Sequence, residues 1–332
     1  MIILISAVMT CAKPFRDLKL TAKACSMISN LSKGTASMGN TLPFQKVALD
    51  TDGFRKTFWS LKKIAVFYST KPFPRSNIHE MYNFYMNRFG SNIKRYSSTA
   101  PGSFISEFDR SADQSFRTNL IQNLYETLHW GYAFDDGQVP DSFMFAFHSY
   151  KPVSEPGRSS FCRFEFPYDA DPESVREFAF RASKLLPFTS GTCGYVLRPS
   201  ATEPSALDHM YAMCQRFWGI EAWNLDVTVK YLGNRFKCVS WLTFIGESIA
   251  EEFPEALKAA RHEAQFQRTS TGTMFQTRAE PALIDRNRSE EYDTESRLAR
   301  ALLPAQTTEH GSFGGMRWTE DNSLAWLYRF TS

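Results

Sequence analysis

Cysteine and histidine are the side chains from which this sequence would most readily build a reaction centre, and their spacing allows little. A nucleophile needs a base within hydrogen-bond reach and commonly sits on a sharp glycine elbow. No Gly-x-Ser-x-Gly occurs, and the nearest setting is Gly191-Thr192-Cys193-Gly194. A thiol reaction would run through Cys193, or through Cys214, but a free strand cysteine is normally buried. A zinc hydrolase carries His-Glu-x-x-His on one helix face; His262-Glu263-Ala264-Gln265-Phe266 begins that pattern and ends in phenylalanine. His209 and Cys214 stand five apart on a predicted helix and so point to different faces. Gly311-Ser312-Phe313-Gly314-Gly315 lacks the strand before and helix after that a phosphate cradle needs, and reads as a flexible loop. Pro140-Asp141 could open the metal motif of a restriction-type nuclease, but the next candidate acid, Glu165, is followed by Phe166-Pro167 and no lysine. The expectation is a protein with no catalytic centre, metal or cofactor, one that works by its surface.

Composition agrees. Of 332 residues, 43% are hydrophobic and 22% charged, as in ordinary globular proteins, which excludes a disordered or fibrous chain. No apolar run approaches the ~18 residues of a membrane span, and Ile2-Ile3-Leu4-Ile5 is short and lacks a basic leader. The six cysteines include no Cys-x-x-Cys pair, which suits a reducing compartment and argues against structural zinc. A soluble, cytoplasmic protein without membrane contact is expected. The net charge of +3 hides an asymmetry: residues 1–100 carry 15 basic and 4 acidic groups, whereas 101–141 carry 2 and 7. Such opposite fields steer charged partners when they lie on different faces.

The elements that would position these residues alternate irregularly. Residues 1–45 read as a basic, Ser-rich extension, 46–255 as an α+β domain, and 256–332 as a helix and strand packing on the same body. Ile64–Tyr68 predicts a strand, followed by a helix over 79–86 capped by Asn77 and closed by a left-handed Gly90, then a strand at 93–96. Phe161-Cys162-Arg163-Phe164-Glu165-Phe166 alternates strictly, predicting a strand with one wet face. Asp171-Pro172-Glu173 is a strong helix start, with Val175, Phe178, Ala179, Ala182 and Leu185 as its stripe and Pro187 as its stop. Cys193–Leu197 follows as a strand, so strand–helix–strand occurs twice, as a β-α-β pseudo-repeat. Between the units, 114–128 predicts a helix, Asp135-Asp136-Gly137 a turn, and 142–150 a strand joined as a hairpin to the next. Further predictions are a helix at 207–217, strands at 225–231 and 239–244, a helix at 255–267 and a final strand at 323–330. Helices and strands mix without a parallel rhythm, so the fold class is α+β, with mixed or antiparallel sheets and packed helices.

One block is distinctive: Gln215-Arg216-Phe217-Trp218-Gly219-Ile220-Glu221-Ala222-Trp223-Asn224-Leu225-Asp226, then Lys237-Cys238-Val239-Ser240-Trp241-Leu242-Thr243-Phe244-Ile245-Gly246-Glu247. With Ser160–Pro167 and Thr189–Tyr195 it resembles the type VI secretion immunity family whose members neutralise VRR-type nuclease effectors. The resemblance covers roughly residues 55–255. Trp218, Glu221 and Ser240 depart from the family's usual Pro, Asp and Asn. It implies a cytoplasmic immunity protein of interbacterial competition that binds a restriction-like, metal-dependent DNase effector and blocks its DNA groove, transforming nothing itself. The hallmark residues are mostly apolar or glycine and are read as holding the fold.

A DNase groove must be electropositive to hold phosphates, so its plug would use acids for steering and rings for anchorage. The candidates lie in the acidic segment: Glu107, Asp109, Asp113, Asp135, Asp136 and Asp141, with Trp130, Tyr132 and Phe134 as anchors. Charge runs also commonly do no more than solvate a face. Two other readings stay open at this point: nucleic-acid binding by the basic N-terminal third, and a cysteine-dependent enzyme.

Overall fold

The long strand β2, Arg55–Ser69, is the spine of the molecule. It is rich in β-branched and aromatic residues between Ile64 and Tyr68, which suit a pleated surface covered on both sides. The computed structural model describes residues 46–49, 55–98, 104–121, 129–137, 143–150, 156–199 and 205–331. The extension predicted at 1–45 lies outside them, and residues 44–332 form one compact unit.

The chain runs through β1 (Lys46–Leu49), β2, α1 (Arg75–Phe89), β3 (Arg95–Ser98), β4 (Ser106–Glu107) and α2 (Arg110–Ile121). Then come β5 (His129–Asp135), β6 (Met144–Tyr150), β7 (Ser160–Phe166), α3 (Pro172–Leu185), β8 (Ser190–Pro199), α4 (Ser205–Arg216), β9 (Ile220–Glu221) and α5 (Leu225–Tyr231). The last part holds β10 (Leu242–Gly246), α6 (Glu247–Glu252), α7 (Pro254–Glu263), β11 (Gln265–Arg268), β12 (Gly272–Gln276), α8 (Asp293–Leu302) and α9 (Glu320–Leu327). One sheet takes all the described strands in the order β11-β12-β10-β8-β2-β7-β6-β5-β3-β4, with β1 beside β2 and β9 beside β8. Every described pairing is antiparallel except β8 with β9. The α+β class is as expected.

Both predicted strand–helix–strand units exist, but each crosses over intervening strands: β7 and β8 flank β2, while three strands separate β2 from β3. Their helices share one face of the sheet. There Ala65, Phe67, Phe164 and Phe166 pack on Met81, Tyr85, Val175 and Phe178. On the other face Ile64, Val66 and Val196 meet Leu225, Val229 and Leu232. The Asp171 carboxylate accepts from Ser174 N and Pro172 opens α3, as the sequence predicted.

Several predicted elements are corrected. Strand β7 has no wet face, because α1 and α3 cover one side of it and Trp223 with α5 the other, so its polar residues Arg163 and Glu165 are buried. Residues 225–231 are the helix α5, capped by the Asn224 side chain accepting from Val227 N at 3.2 Å. Its buried residues Leu225, Thr228 and Val229 follow helical spacing, although the alternation of all seven residues also fits a strand. Likewise 323–330 lies largely in helix α9, started by a Thr319–Asn322 capping box. Pro74, not Asn77, caps α1; Asn77 instead donates to Leu185 O at 2.7 Å. Gly90 has φ −59°, a right-handed value, and leads into a 3-10 turn. Strand β3 starts two residues later than predicted, β10 starts at Leu242, and the helix predicted to reach 267 ends at Glu263. The helix predicted over 114–128 is described over Arg110–Ile121.

Candidate functional site

The acidic segment divides between surface and interior. Glu107 and Asp109 are exposed. Glu107 sits on β4 opposite Arg95, and Asp109 caps α2 by accepting from Ala112 N at 2.8 Å. Asp113, half-buried one turn on, holds Arg117 Nε at 2.9 Å and accepts the Tyr82 hydroxyl. Asp135 is buried: Arg95 Nη2 reaches it at 2.7 Å, and Gly137 N donates to it at 2.9 Å in the predicted turn, where Gly137 has φ +76°. Half-buried Asp136 accepts from Phe143 N at 3.0 Å. Asp141 and the Trp130 side chain lie outside the described residues.

The expected anchors Tyr132 and Phe134 are core residues, and Phe134 has no exposed surface. Strand β5 alternates, so both rings point under α1 and α2. There Phe116 meets Tyr132 at 4.7 Å and Phe134 at 5.0 Å, and Tyr82 meets Phe134 at 5.3 Å. Rings so enclosed hold the sheet to its helices and present nothing to a partner in this conformation. The structure therefore gathers the aromatic candidates, and leaves Glu107, Asp109 and, in part, Asp113 and Asp136 at the surface.

A second concentration of charge, not singled out from sequence, lies inside the molecule. On the α5 face of the sheet, Glu165 is fully buried and meets Arg198 Nη1 at 2.5 Å, Arg163 Nε at 3.3 Å and Lys62 Nζ at 3.4 Å. Burial pushes its carboxyl up, but Arg198, Arg163 and Lys62 outweigh that and hold it at about 2. Both guanidinium groups lie over the Trp223 ring, at 5.2 and 5.6 Å. Nearby, Glu221 on β9 accepts from Lys237 Nζ at 2.6 Å and from Thr192 Oγ1 at 2.9 Å, and both members of the ion pair are buried. Lys63 faces the other side and donates to the carbonyls of Ala170 and Tyr168. Two lysines of the basic N-terminal third are thus internal.

The distinctive sequence block owes its character to this interior. Arg216 makes a two-pronged bond to Asp285, at 3.0 and 2.6 Å. Trp218 packs on Tyr292 and Phe330 with Arg286 stacked over it at 4.1 Å. A Cβ on Gly219 would fall 1.9 Å from Ala282 O, so only glycine permits this approach. The departures at 221 and 240 are accommodated: Glu221 reaches Lys237, and Ser240 Oγ donates to Cys193 O at 3.0 Å over Gly194, where a Cβ would lie 2.6 Å from Ser240 Oγ. The Lys237–Glu221 pair joins the two halves of the block. A lone lysine amid Cys, Val and Trp was the one sequence cue that a buried acid awaited it.

Chemistry is poorly served. Burial pushes the Cys214 thiol up to about 12 and the Cys193 thiol higher still, which removes the thiolate a nucleophile requires. His262 and Glu263 line an open, polar groove beside β11. Among the described residues no group of three or more His, Cys, Asp or Glu side chains is placed to hold a metal, and no helix is long and apolar enough to cross a membrane. The loop 311–315 is not loose: Phe313 is buried, Asn224 Nδ2 donates to its carbonyl at 3.1 Å, and Gly314 and Gly315 take φ of +100° and +75°.

Residues 77–330 match the model of the TsiV family, described as type VI immunity for VRR-NUC. Among curated proteins none matches. The fold is similar to that of the Pseudomonas aeruginosa T6SS protein PA0821, with a TM-score of 0.70 and 16% sequence identity over 93% of this chain and 91% of that one.

Proposed function

This chain belongs to the TsiV family, type VI immunity for VRR-NUC, and from that membership we propose that it protects by binding its cognate VRR-NUC effector directly and covering that effector's DNA groove. The observation that carries the reading is the family match across most of the folded unit. Burial of all four described cysteines, with the Cys193 and Cys214 thiols pushed up, weighs against the cysteine-dependent alternative. A groove built for phosphates is electropositive, and the exposed acids Glu107 and Asp109, with half-buried Asp113 and Asp136 and with Asp141 beside them in sequence, supply the complementary sign. Protection then takes place in the cytoplasm, where effector, DNA and immunity protein meet.

Co-expression and purification test this. The effector domain and this chain should elute as one complex, and an equimolar amount of the chain should abolish DNA cleavage. Association should slow as salt rises, because charge sets the on-rate. Protection of cells without a physical complex, or turnover of the effector by the chain, would overturn the reading.

A further inference from the structure

With Tyr132 and Phe134 enclosed, a plug needs rings that keep some surface, and the fold holds a pair where β7 turns into α3. Tyr168, in that turn, and Tyr195, on β8, are half-buried and stack at 6.0 Å with 27° between their planes. Both pack against the cluster of Trp59, Leu61 and Leu197, so one part of each ring belongs to the core and the rest is left to solvent. Neither hydroxyl has a hydrogen-bond partner among the described residues, which leaves each able to donate to and accept from another molecule.

The pair is held from beneath. Lys63 Nζ lies 5.7 Å from the centre of the Tyr168 ring and 5.4 Å from that of Tyr195, and it donates to Tyr168 O and, at 2.7 Å, to Ala170 O. Ala170 N closes the turn on Pro167 O at 3.1 Å, and Asp171 caps α3. A ring mounted on a turn so fixed loses little further freedom when it is covered, which favours binding. The exposed charge around it is of one sign. Asp169, Asp171, Glu173 and Glu280 are exposed, whereas no basic side chain is exposed in residues 160–180 or 272–285. The half-buried cations of those stretches are tied to acids: Arg176 to Glu173 at 2.7 Å and Arg278 to Glu295 at 2.6 Å. Burial pushes the Lys63 ammonium down, and the carboxylates of Asp169, Asp171 and Glu280 work against that, so all three stand within electrostatic reach of the charge under the rings. Tyrosine faces backed by carboxylates suit an arginine or lysine side chain, because the ring attracts the cation and the carboxylate bonds it. The wall of a groove that holds DNA phosphates must carry such cations.

We propose that Tyr168 and Tyr195, with Asp169 and Glu280 beside them, form the anchor on which a basic side chain of the VRR-NUC effector's DNA groove seats. The inference rests on the direct-binding reading above and adds to it an aromatic contact that Glu107 and Asp109 do not supply. The test measures effector binding and melting temperature for full-length wild type, Asp169→Lys/Glu280→Lys, Tyr168→Ala and Tyr168→Leu. Exposed acids carry little of the fold, so the double reversal should keep the wild-type melting temperature. Its affinity should fall at least about tenfold, with association slowed most at low salt. Tyr168→Ala should lose at least about thirtyfold, the loss typical of a buried interface anchor. Tyr168→Leu keeps apolar bulk against Tyr195 without a ring face and should still lose about tenfold. Unchanged affinity of either the double reversal or Tyr168→Leu, while wild type binds, would sink the anchor and leave direct binding intact. Absence of any wild-type complex would end both. A loss confined to Tyr168→Ala and accompanied by a lower melting temperature would assign the ring to the fold and equally overturn the proposal.

Discussion

Two groups of charge, similar in residue type, sit at opposite ends of the burial scale. Around Glu165, one carboxylate is enclosed with Lys62 and Arg163 between the sheet and Trp223, and half-buried Arg198 closes the cluster. Around Glu107 and Asp109, carboxylates stand in solvent at the margin of the same sheet. The difference lies in the cost of error. An enclosed ion must find its partner, since removal of one member leaves the rest desolvated and unpaired. A solvated ion is indifferent to loss of its neighbour, and so is free to be spent on a partner. Charge that cannot change without unfolding the molecule belongs to the fold; charge that can is the material of recognition.

The contrast can be broken most directly at its buried end. Replacing Glu165→Leu leaves Lys62, Arg163 and Arg198 facing one another and should destabilise the protein by about 3–5 kcal/mol in urea unfolding. A loss below about 1 kcal/mol would mean that the cluster is wet and the contrast false. Acid should act next, in two windows. His310 is buried beside Lys237, with Nδ1 donating to Gly311 O at 2.6 Å and Nε2 3.1 Å from Thr228 Oγ1. Burial and Lys237 push its imidazole down to about 4. The unfolded chain therefore binds a proton that the native state refuses, and stability falls as pH drops from about 6.5 to about 4. Glu165 is held at about 2, below its unfolded value, so its contribution is complete above roughly pH 4.5 and disappears as pH falls toward 2. Unfolding free energy should thus decline in two steps, the upper one flattened by His310→Gln and the lower one by Glu165→Leu. The smallest effect belongs to the surface: Arg117→Ala, which leaves Asp113 with the Tyr82 hydroxyl, should cost under about 1 kcal/mol. A larger loss would place that acid with the fold.

Where local chemistry suffices, the sequence was legible. Asp171-Pro172 starts a helix because cap, fixed proline φ and acidic first turn all act within four residues. The Asp135-Asp136-Gly137 turn is equally local. Reading failed where two periods fit one short apolar run. Leu225–Tyr231 and Ser323–Phe330 alternate like strands, yet the Asn224 cap and the Thr319–Asn322 box were the deciding signals, and both lie just upstream of the runs. Tyr132 and Phe134 as anchors failed for another reason: an aromatic beside an acid looks the same in sequence whether its strand face meets helices or water.

Composition, caps and apolar spacing were enough to fix an α+β protein without reactive spacing, and the hallmark block was enough to place its family, because those properties act between neighbours along the chain. Which side of each strand would be enclosed depended on partners a hundred residues away, as Lys62 and Glu165 are from each other. Burial is a property of the assembled sheet and its helices, and burial alone separated the carboxylates that hold this protein together from those it can offer to another.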